Sequence, residues 1–277
     1  MTKFLIFGSK GQLGQSLAKV APEDVILIEA SDVDITNFKD VMNSLVQHVP
    51  DVVVNCAAYT AVDKAEEDVN TCINVNAYGA TNIAKACNDL LIQFVHISTD
   101  YVFDGHVAGT EDSKTNPLNT YGYSKQLGET LVQTVCPTAL IIRTASVYSE
   151  FGHNFLKTML ERYNGGQKEF NVVCDHLSCP TYAPDLAETI FKLVKDGVNS
   201  KIVHYAGADY ISWYDFARKI FLVIDLSVTV NPVSASTYNS KAVRPATSYL
   251  KTDPTLNPRS VDSGIVRTLT ILFLNKE

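Results

Sequence analysis

The stretch Phe4-Leu5-Ile6-Phe7-Gly8-Ser9-Lys10-Gly11-Gln12-Leu13-Gly14, residues 4–14, sets four apolar residues directly before three glycines spaced three apart. An apolar run of that length, closed by a glycine, reads as a buried strand, and Leu13, Leu17 and Val20 then recur at the spacing of a helix with one apolar face. Strand, glycine turn and amphipathic helix together form the opening unit of a dinucleotide-binding fold. The logic of the glycines is steric. Gly8 permits the tight turn, Gly11 lets the backbone approach a pyrophosphate, and Gly14 lets helix and strand pack closely, while the helix N-terminus offers free N–H groups to phosphates.

Outward from this turn the pattern repeats. Val25 to Ile28 reads as a second strand, and Phe38, Val41, Met42, Leu45 and Val46 as a helical stripe with Thr36 or Asn37 placed to cap it. Val52 to Cys56 follows, then a long helical segment through Ala84, a strand from Ile92 to Ile97, a helix from about Tyr121 to Val135, and a strand from Ala139 to Ile142. The alternation predicts an α/β fold, a doubly wound Rossmann-type parallel sheet over residues 1–150, with ligands at the carboxyl ends of its strands. Beyond residue 150, Gly165-Gly166 and prolines 180, 184, 232, 245, 254 and 258 break the chain into short elements. Residues 151–277 are expected to form mainly a smaller substrate-binding lobe, interwoven with the first. Trp213, on a stripe with Phe216, Ile220 and Phe221, reads as core.

Composition narrows the function classes. A net charge of −7 over 277 residues argues against a nucleic-acid groove, which needs a basic stripe. No stretch approaches the roughly 20 apolar residues of a membrane span. Six cysteines without a C-x-x-C, and no leader-like N-terminus, point to a reduced, cytoplasmic protein. Cys174, His176 and Cys179 fit no common zinc spacing, so no metal is expected. For the dinucleotide two signals conflict: Lys10 would favour a 2′-phosphate, whereas Glu29, at the end of the second strand, would bond a free 2′-hydroxyl. Asp34 is a second acid in reach, facing the adenine. NADPH is the expected cofactor, with NADH the alternative.

Tyr121-x-x-x-Lys125 places a phenol and an ammonium one helical turn apart on one face. A nearby cation favours phenolate, so the spacing predicts a lowered Tyr121 pKa. With 13 tyrosines in the chain such a pair arises about once by chance, so it needs support. Ser98-Thr99-Asp100, straight after the strand from Ile92 to Ile97, provides it by offering a hydroxyl to a carbonyl oxygen. Arg244, before Pro245, is the best candidate for a diphosphate clamp, because a guanidinium meets phosphate oxygens in pairs; the competing reading is an ordinary surface ion pair.

These strings, with "CAAYTAVDKAE" at 56–66, "NVNAYG" at 74–79, "HISTDYVFDG" at 96–105, "NPLNTYGYSK" at 116–125, "LIIRTASVY" at 140–148, "NFLKTML" at 154–160 and "PTYAPDLA" at 180–187, resemble the extended short-chain dehydrogenase/reductases, in particular their nucleotide-sugar 4-ketoreductases. The resemblance implies Thr99, Tyr121 and Lys125 as the catalytic set. It implies Gly11, Gln12 and Leu13, then Asp34 and Ile35, then Ala57, Ala58 and Tyr59 as lining the cofactor. Asp100 and Tyr101 would contact the sugar, and the loop at His153 and Asn154 would lie near the substrate diphosphate. The implied reaction is reduction of the 4-keto group of a nucleotide-linked 6-deoxyhexose, foremost dTDP-4-dehydrorhamnose, by a monomer or homodimer. Alternatives are a related reductase giving another stereoisomer and a non-catalytic nucleotide-binding regulatory subunit. Two departures bear on the base of the nucleotide: Ser146 stands where that group has a tryptophan, and "DHLSCPT" at 175–181 replaces a more usual "DQxGxPT".

Overall fold

Six parallel strands form the central sheet of the computed structural model, which describes residues 2–21, 24–106, 108–224 and 227–274. They are β1 (Phe4–Phe7), β2 (Val25–Ile28), β3 (Val52–Asn55), β4 (Gln93–Thr99), β5 (Leu140–Thr144) and β6 (Lys201–His204). Their spatial order is β2-β1-β3-β4-β5-β6, so the direction of winding reverses between β1 and β3. At that reversal the connections leave on opposite sides and open a crevice outside the carboxyl ends.

The eight longer helices are α1 (Gln12–Val20), α2 (Phe38–His48), α3 (Ala80–Asp89), α4 (Thr120–Val135), α5 (Phe155–Asn164), α6 (Ala183–Lys195), α7 (Trp213–Val223) and α8 (Val261–Leu274). Two cores lie on the two faces of the sheet. One joins Leu5, Phe7, Val53 and Phe94 to residues of α2 and α3; the other joins Ile6, Val54, Val95 and Ile142 to Leu13 and Leu17 of α1 and to the apolar face of α6. β1 and β3 are therefore buried throughout, which explains their unbroken apolar sequence. Both α6 and β6 come from beyond residue 150, so the chain returns to the large sheet after leaving it. A third core, with Tyr148, Leu156, Phe170, Phe216 and Ile220, holds α5, α7 and α8 together, and Trp213 packs against Phe155 beside it.

Two local expectations need correction. The helical segment after β3 is not one helix: it runs as Val62–Ala65, Val69–Ile73 and a π-helical turn at Asn74–Gly79 before α3 begins. The π turn carries Asn76, a buried carboxamide that bonds the Tyr59 backbone and the Ser124 hydroxyl. The strands β4 and β5 also extend two residues past their apolar runs, pairing Ser98 with Arg143 and Thr99 with Thr144. Hydrophobic patterning stops at the last apolar residue, but backbone pairing does not. Asn37 rather than Thr36 caps α2, accepting from the Lys39 N–H at 3.0 Å. Among the described residues no helix is long and apolar enough to cross a membrane.

Candidate active site

The glycine turn sits at the sheet's switch point. Gly8 has φ +79°, and a Cβ there would lie 2.5 Å from the Ala57 nitrogen, so the turns after β1 and β3 touch backbone to backbone. At Gly14 a Cβ would lie 2.5 Å from the Gly8 carbonyl and 2.7 Å from the Ser9 Cα, which packs α1 directly onto the turn. Gly11 caps α1 with no side chain over its first N–H groups, and its open side faces only the Gly8 carbonyl. A pyrophosphate fits this backbone: no side chain caps the first turn of α1 and no Cβ stands in the way.

Two adjoining cavities run along the carboxyl edge. The first, about 470 Å³, is lined by Gly8, Lys10, Gly11, Asp34, Ile35, Ala57 and Ala58 among others. Glu29 also lines it, and Lys10 forms an ion pair with Glu29 across its mouth. The two residues that argued for different cofactors thus satisfy each other, and the carboxylate draws the Lys10 pKa upward. Asp34 spends one oxygen on the Thr36 N–H and hydroxyl, at 2.9 and 2.7 Å.

The second cavity, about 530 Å³, shares Lys10, Gly11 and Ala58 with the first and adds Gln12, Leu13, Gly14, Thr99, Tyr121, Lys125, Ser146 and His153. Tyr59 lines neither. Its backbone is clasped on both sides by the Asn76 carboxamide, at 2.7 and 3.0 Å, and Asn76 reaches on to Ser124 of α4 at 2.9 Å. This brace was not read from the sequence; its only signal there is a polar residue in the apolar phase of a helix.

Local capping fixes the helix that carries Tyr121 and Lys125. Asn119 accepts from the Gly122 N–H at 2.8 Å and donates to the Val243 carbonyl at 2.8 Å, and Glu66 accepts from the Thr120 N–H at 2.8 Å. Tyr121 and Lys125 line the second cavity together with Thr99, which lies at the end of β4. Burial holds the Tyr121 phenol well above its ordinary range, against the expectation that Lys125 lowers it. The physical reason is that the Lys125 Nζ turns away, donating to the Ile97 carbonyl at 2.6 Å and lying 3.3 Å from His96 Nε2.

On the substrate side the structure places the expected residues less openly. Asp100 is buried, accepting from the Thr99 hydroxyl at 2.9 Å and from Ser248; burial lifts its carboxyl to about 6. Tyr101 lies edge-on to Tyr121, ring centres 5.8 Å apart. Asn154 faces inward instead of toward the cavity, capping α5 and donating to Gln12 Oε1 at 2.9 Å and to the Ser149 carbonyl at 2.8 Å. Arg244 holds Asp63 through both ends of its guanidinium, at 3.0 and 2.6 Å. That bidentate pair keeps the Asp63 carboxyl well below the usual range. The two departures noted in the sequence meet in space, for Ser146, at φ +44°, and Ser178 share a hydrogen bond of 2.5 Å.

A Rossmann sheet with an open glycine turn at its switch point, and a Thr, Tyr and Lys gathered on the adjoining cavity, defines an extended short-chain dehydrogenase/reductase. Comparison with known proteins takes this further. Residues 2–261 match the family model described as the RmlD substrate binding domain. The chain is 38% identical to a dTDP-4-dehydrorhamnose reductase of Aggregatibacter actinomycetemcomitans, over 90% of each chain, and 38% identical to the spore coat polysaccharide biosynthesis protein SpsK of Bacillus subtilis, over 90% of this chain and 89% of the other. A crystal structure of the Bacillus anthracis dTDP-4-dehydrorhamnose reductase with NADP superposes with a TM-score of 0.93 at 34% identity, covering 98% of this chain and 99% of that one. The chain belongs to the RmlD family of dTDP-4-dehydrorhamnose reductases.

Proposed function

We propose that this protein reduces the 4-keto group of dTDP-4-dehydrorhamnose to give dTDP-L-rhamnose, with NADPH as the hydride donor. The observation that carries the reading is the gathering of Thr99, Tyr121 and Lys125 on the wall of the cavity that continues from the Gly11–Gly14 turn. Family membership, the names of the relatives and the NADP bound to the Bacillus anthracis enzyme support the substrate and the cofactor. The pyrophosphate would lie on Gly11, Gln12 and Leu13, the adenosine along Asp34, Ile35, Ala57 and Ala58, and the nicotinamide end beside Lys125, with Tyr59, which lines neither cavity, outside its contacts. NADPH supplies hydride to the sugar C4.

Tyr121 keeps its proton at neutral pH because burial holds the phenol protonated, so it can hand that proton to the developing alkoxide. Thr99 steadies the same oxygen and is itself oriented by Asp100. Tyr101 and Asp100 form the sugar side. Arg244 takes the diphosphate by exchanging Asp63, and Asn154 acts at one remove, through Gln12. We place the reaction in the cytoplasm, in keeping with six free cysteines, and in a monomer or homodimer.

Incubation with NADPH and dTDP-4-dehydrorhamnose, with the product resolved by NMR, tests the reading. Formation of dTDP-L-rhamnose is expected. A 6-deoxytalose product would assign the Ser146–Ser178 wall to a different stereochemical outcome, and cofactor binding without any turnover would refute the enzyme reading.

A further inference from the structure

Beneath the cleft, a line of buried polar groups runs from the turn after β3 to Lys125. The Ala57 N–H donates to Asn55 Oδ1 at 3.0 Å, the Asn55 Nδ2 lies 3.2 Å from His96 Nδ1, and His96 Nε2 lies 3.3 Å from the Lys125 Nζ. Asn55, His96 and Lys125 are each at most 2% exposed, so water does not complete these bonds.

The polarity of this line follows from its first member. A backbone N–H can only donate, so the Asn55 face toward Ala57 must be the oxygen, and the opposite orientation would set an NH₂ against an N–H. The Asn55 face toward His96 is therefore the NH₂, which also can only donate. His96 Nδ1 must then be the unprotonated nitrogen, and the ring proton sits on Nε2, aimed at Lys125. A doubly protonated ring fits worse, since it would bring a donor to each donor in a fully buried place; burial and the neighbouring Lys125 hold the His96 pKa well below its ordinary value.

An ammonium has three N–H groups and no lone pair to receive His96 Nε2–H, whereas a neutral amine has one lone pair for His96, one N–H for the Ile97 carbonyl at 2.6 Å, and one for the cavity. We infer that His96 is a positioning residue whose tautomer, locked by Asn55 and the Ala57 backbone, biases Lys125 toward the uncharged amine. The line ends on a backbone N–H that cannot release its proton, so it sets polarity and passes no proton.

The other groups facing Lys125 leave that bias in place. Cys56, at the end of β3, and Cys72, on Val69–Ile73, are thiols held in the protonated form by burial. Tyr121, on α4, is a phenol raised above its ordinary range. Glu129, one turn further along α4, favours the ammonium, but Arg143 of β5 holds it at 2.9 and 2.7 Å. Burial outweighs the opposing pull of Glu129, Cys56 and Cys72 and brings Lys125 down to about 8.

The test is ¹⁵N NMR of histidine-labelled protein, with the His96 signals assigned by their loss in His96→Gln. The expected result is a protonated Nε2 and a bare Nδ1; a protonated Nδ1 overturns the inference. A second arm follows Lys125 by its ¹³Cε shift against pH. In Asn55→Asp, whose carboxylate can only accept, the tautomer should reverse and the Lys125 proton affinity rise at least tenfold. An unchanged Lys125 titration alongside a reversed tautomer overturns the inference as well. The native tautomer decides the question even if a variant fails to fold, and neither spectrum depends on turnover. The expected effect on catalysis, a basic limb of the kcat profile that moves upward in Asn55→Asp, does rest on the proposed roles of Tyr121 and Lys125.

Discussion

At the β1–β3 end of the cleft the Gly8–Gly14 and Ala57–Ala58 turns bring backbone to the cavity wall, and the glycines among them add no Cβ to it. At and around the β4–β5 end many polar side chains already hold one another: Thr99 with Asp100, Asp100 with Ser248, Arg244 with Asp63, Asn154 with Gln12, Ser146 with Ser178. A backbone site is fixed by the fold and tolerates little change in sequence. A side-chain site gains its ligand by exchanging partners, so its specificity can shift through single substitutions.

Under the β4–β5 end, Glu129 and Arg143 form a buried pair, both side chains less than 5% exposed, with His204 3.3 Å from the guanidinium. Replacing Glu129 by Gln should leave an unpaired buried cation and cost about 3–5 kcal/mol in denaturant unfolding. The double variant Glu129→Leu/Arg143→Met should recover most of it. A single variant that costs under 1 kcal/mol would mean that the side-chain end does not depend on its internal pairing.

Asp100 sharpens the same point through pH. Its folded-state pKa, about 6, is raised above the ordinary 3.8, so the folded protein keeps a proton that the unfolded chain has lost between about pH 4 and 6. Stability should therefore fall as pH rises through that window, by about 3 kcal/mol in all, and stay lower above it. Asp100→Asn should remove that dependence in thermal melts. The buried carboxylate thus costs stability and is set to orient Thr99; an unaltered pH profile in the variant would separate Asp100 from the site.

At the backbone end, Gly14→Ala places a methyl 2.5 Å from the Gly8 carbonyl, where no flexible side chain can yield. An overpacking cost of about 1–3 kcal/mol is expected, together with at least tenfold weaker NADPH binding by calorimetry. Unchanged affinity would show that the turn does not shape the pyrophosphate site. The smallest effect belongs to the exposed Lys10–Glu29 pair: Glu29→Gln should free Lys10 and raise the preference for NADPH over NADH only a few-fold, because solvent screens charges there.

The sheet and the glycine turn were legible in the sequence because both are written in local periodicity: apolar runs of four, a 3.6-residue stripe and glycines at fixed spacing. Tyr121, Lys125 and Thr99 were legible as a constellation. Their setting was not. That the Lys125 Nζ turns toward Ile97 and His96 depends on one strand, β4, whose two residues lie 28 and 29 positions away. The partners of Arg244 and Asn154 lie 181 and 142 residues off, so a residue with the right chemistry for a phosphate could not be told from one already paired. Asn76 hid for a different reason: the π turn that lets it reach Tyr59 and Ser124 has no composition of its own.

The most direct test of the central claim is the rate of NADPH oxidation, followed by nicotinamide absorbance, when the native protein and Tyr121→Phe are each mixed with dTDP-4-dehydrorhamnose. Rapid oxidation is expected for the native protein, with a kcat lower by roughly 10²–10⁴ in the variant and NADPH affinity unchanged. Equal rates in the two proteins would contradict this, because the Tyr121 phenol would then not be the proton donor.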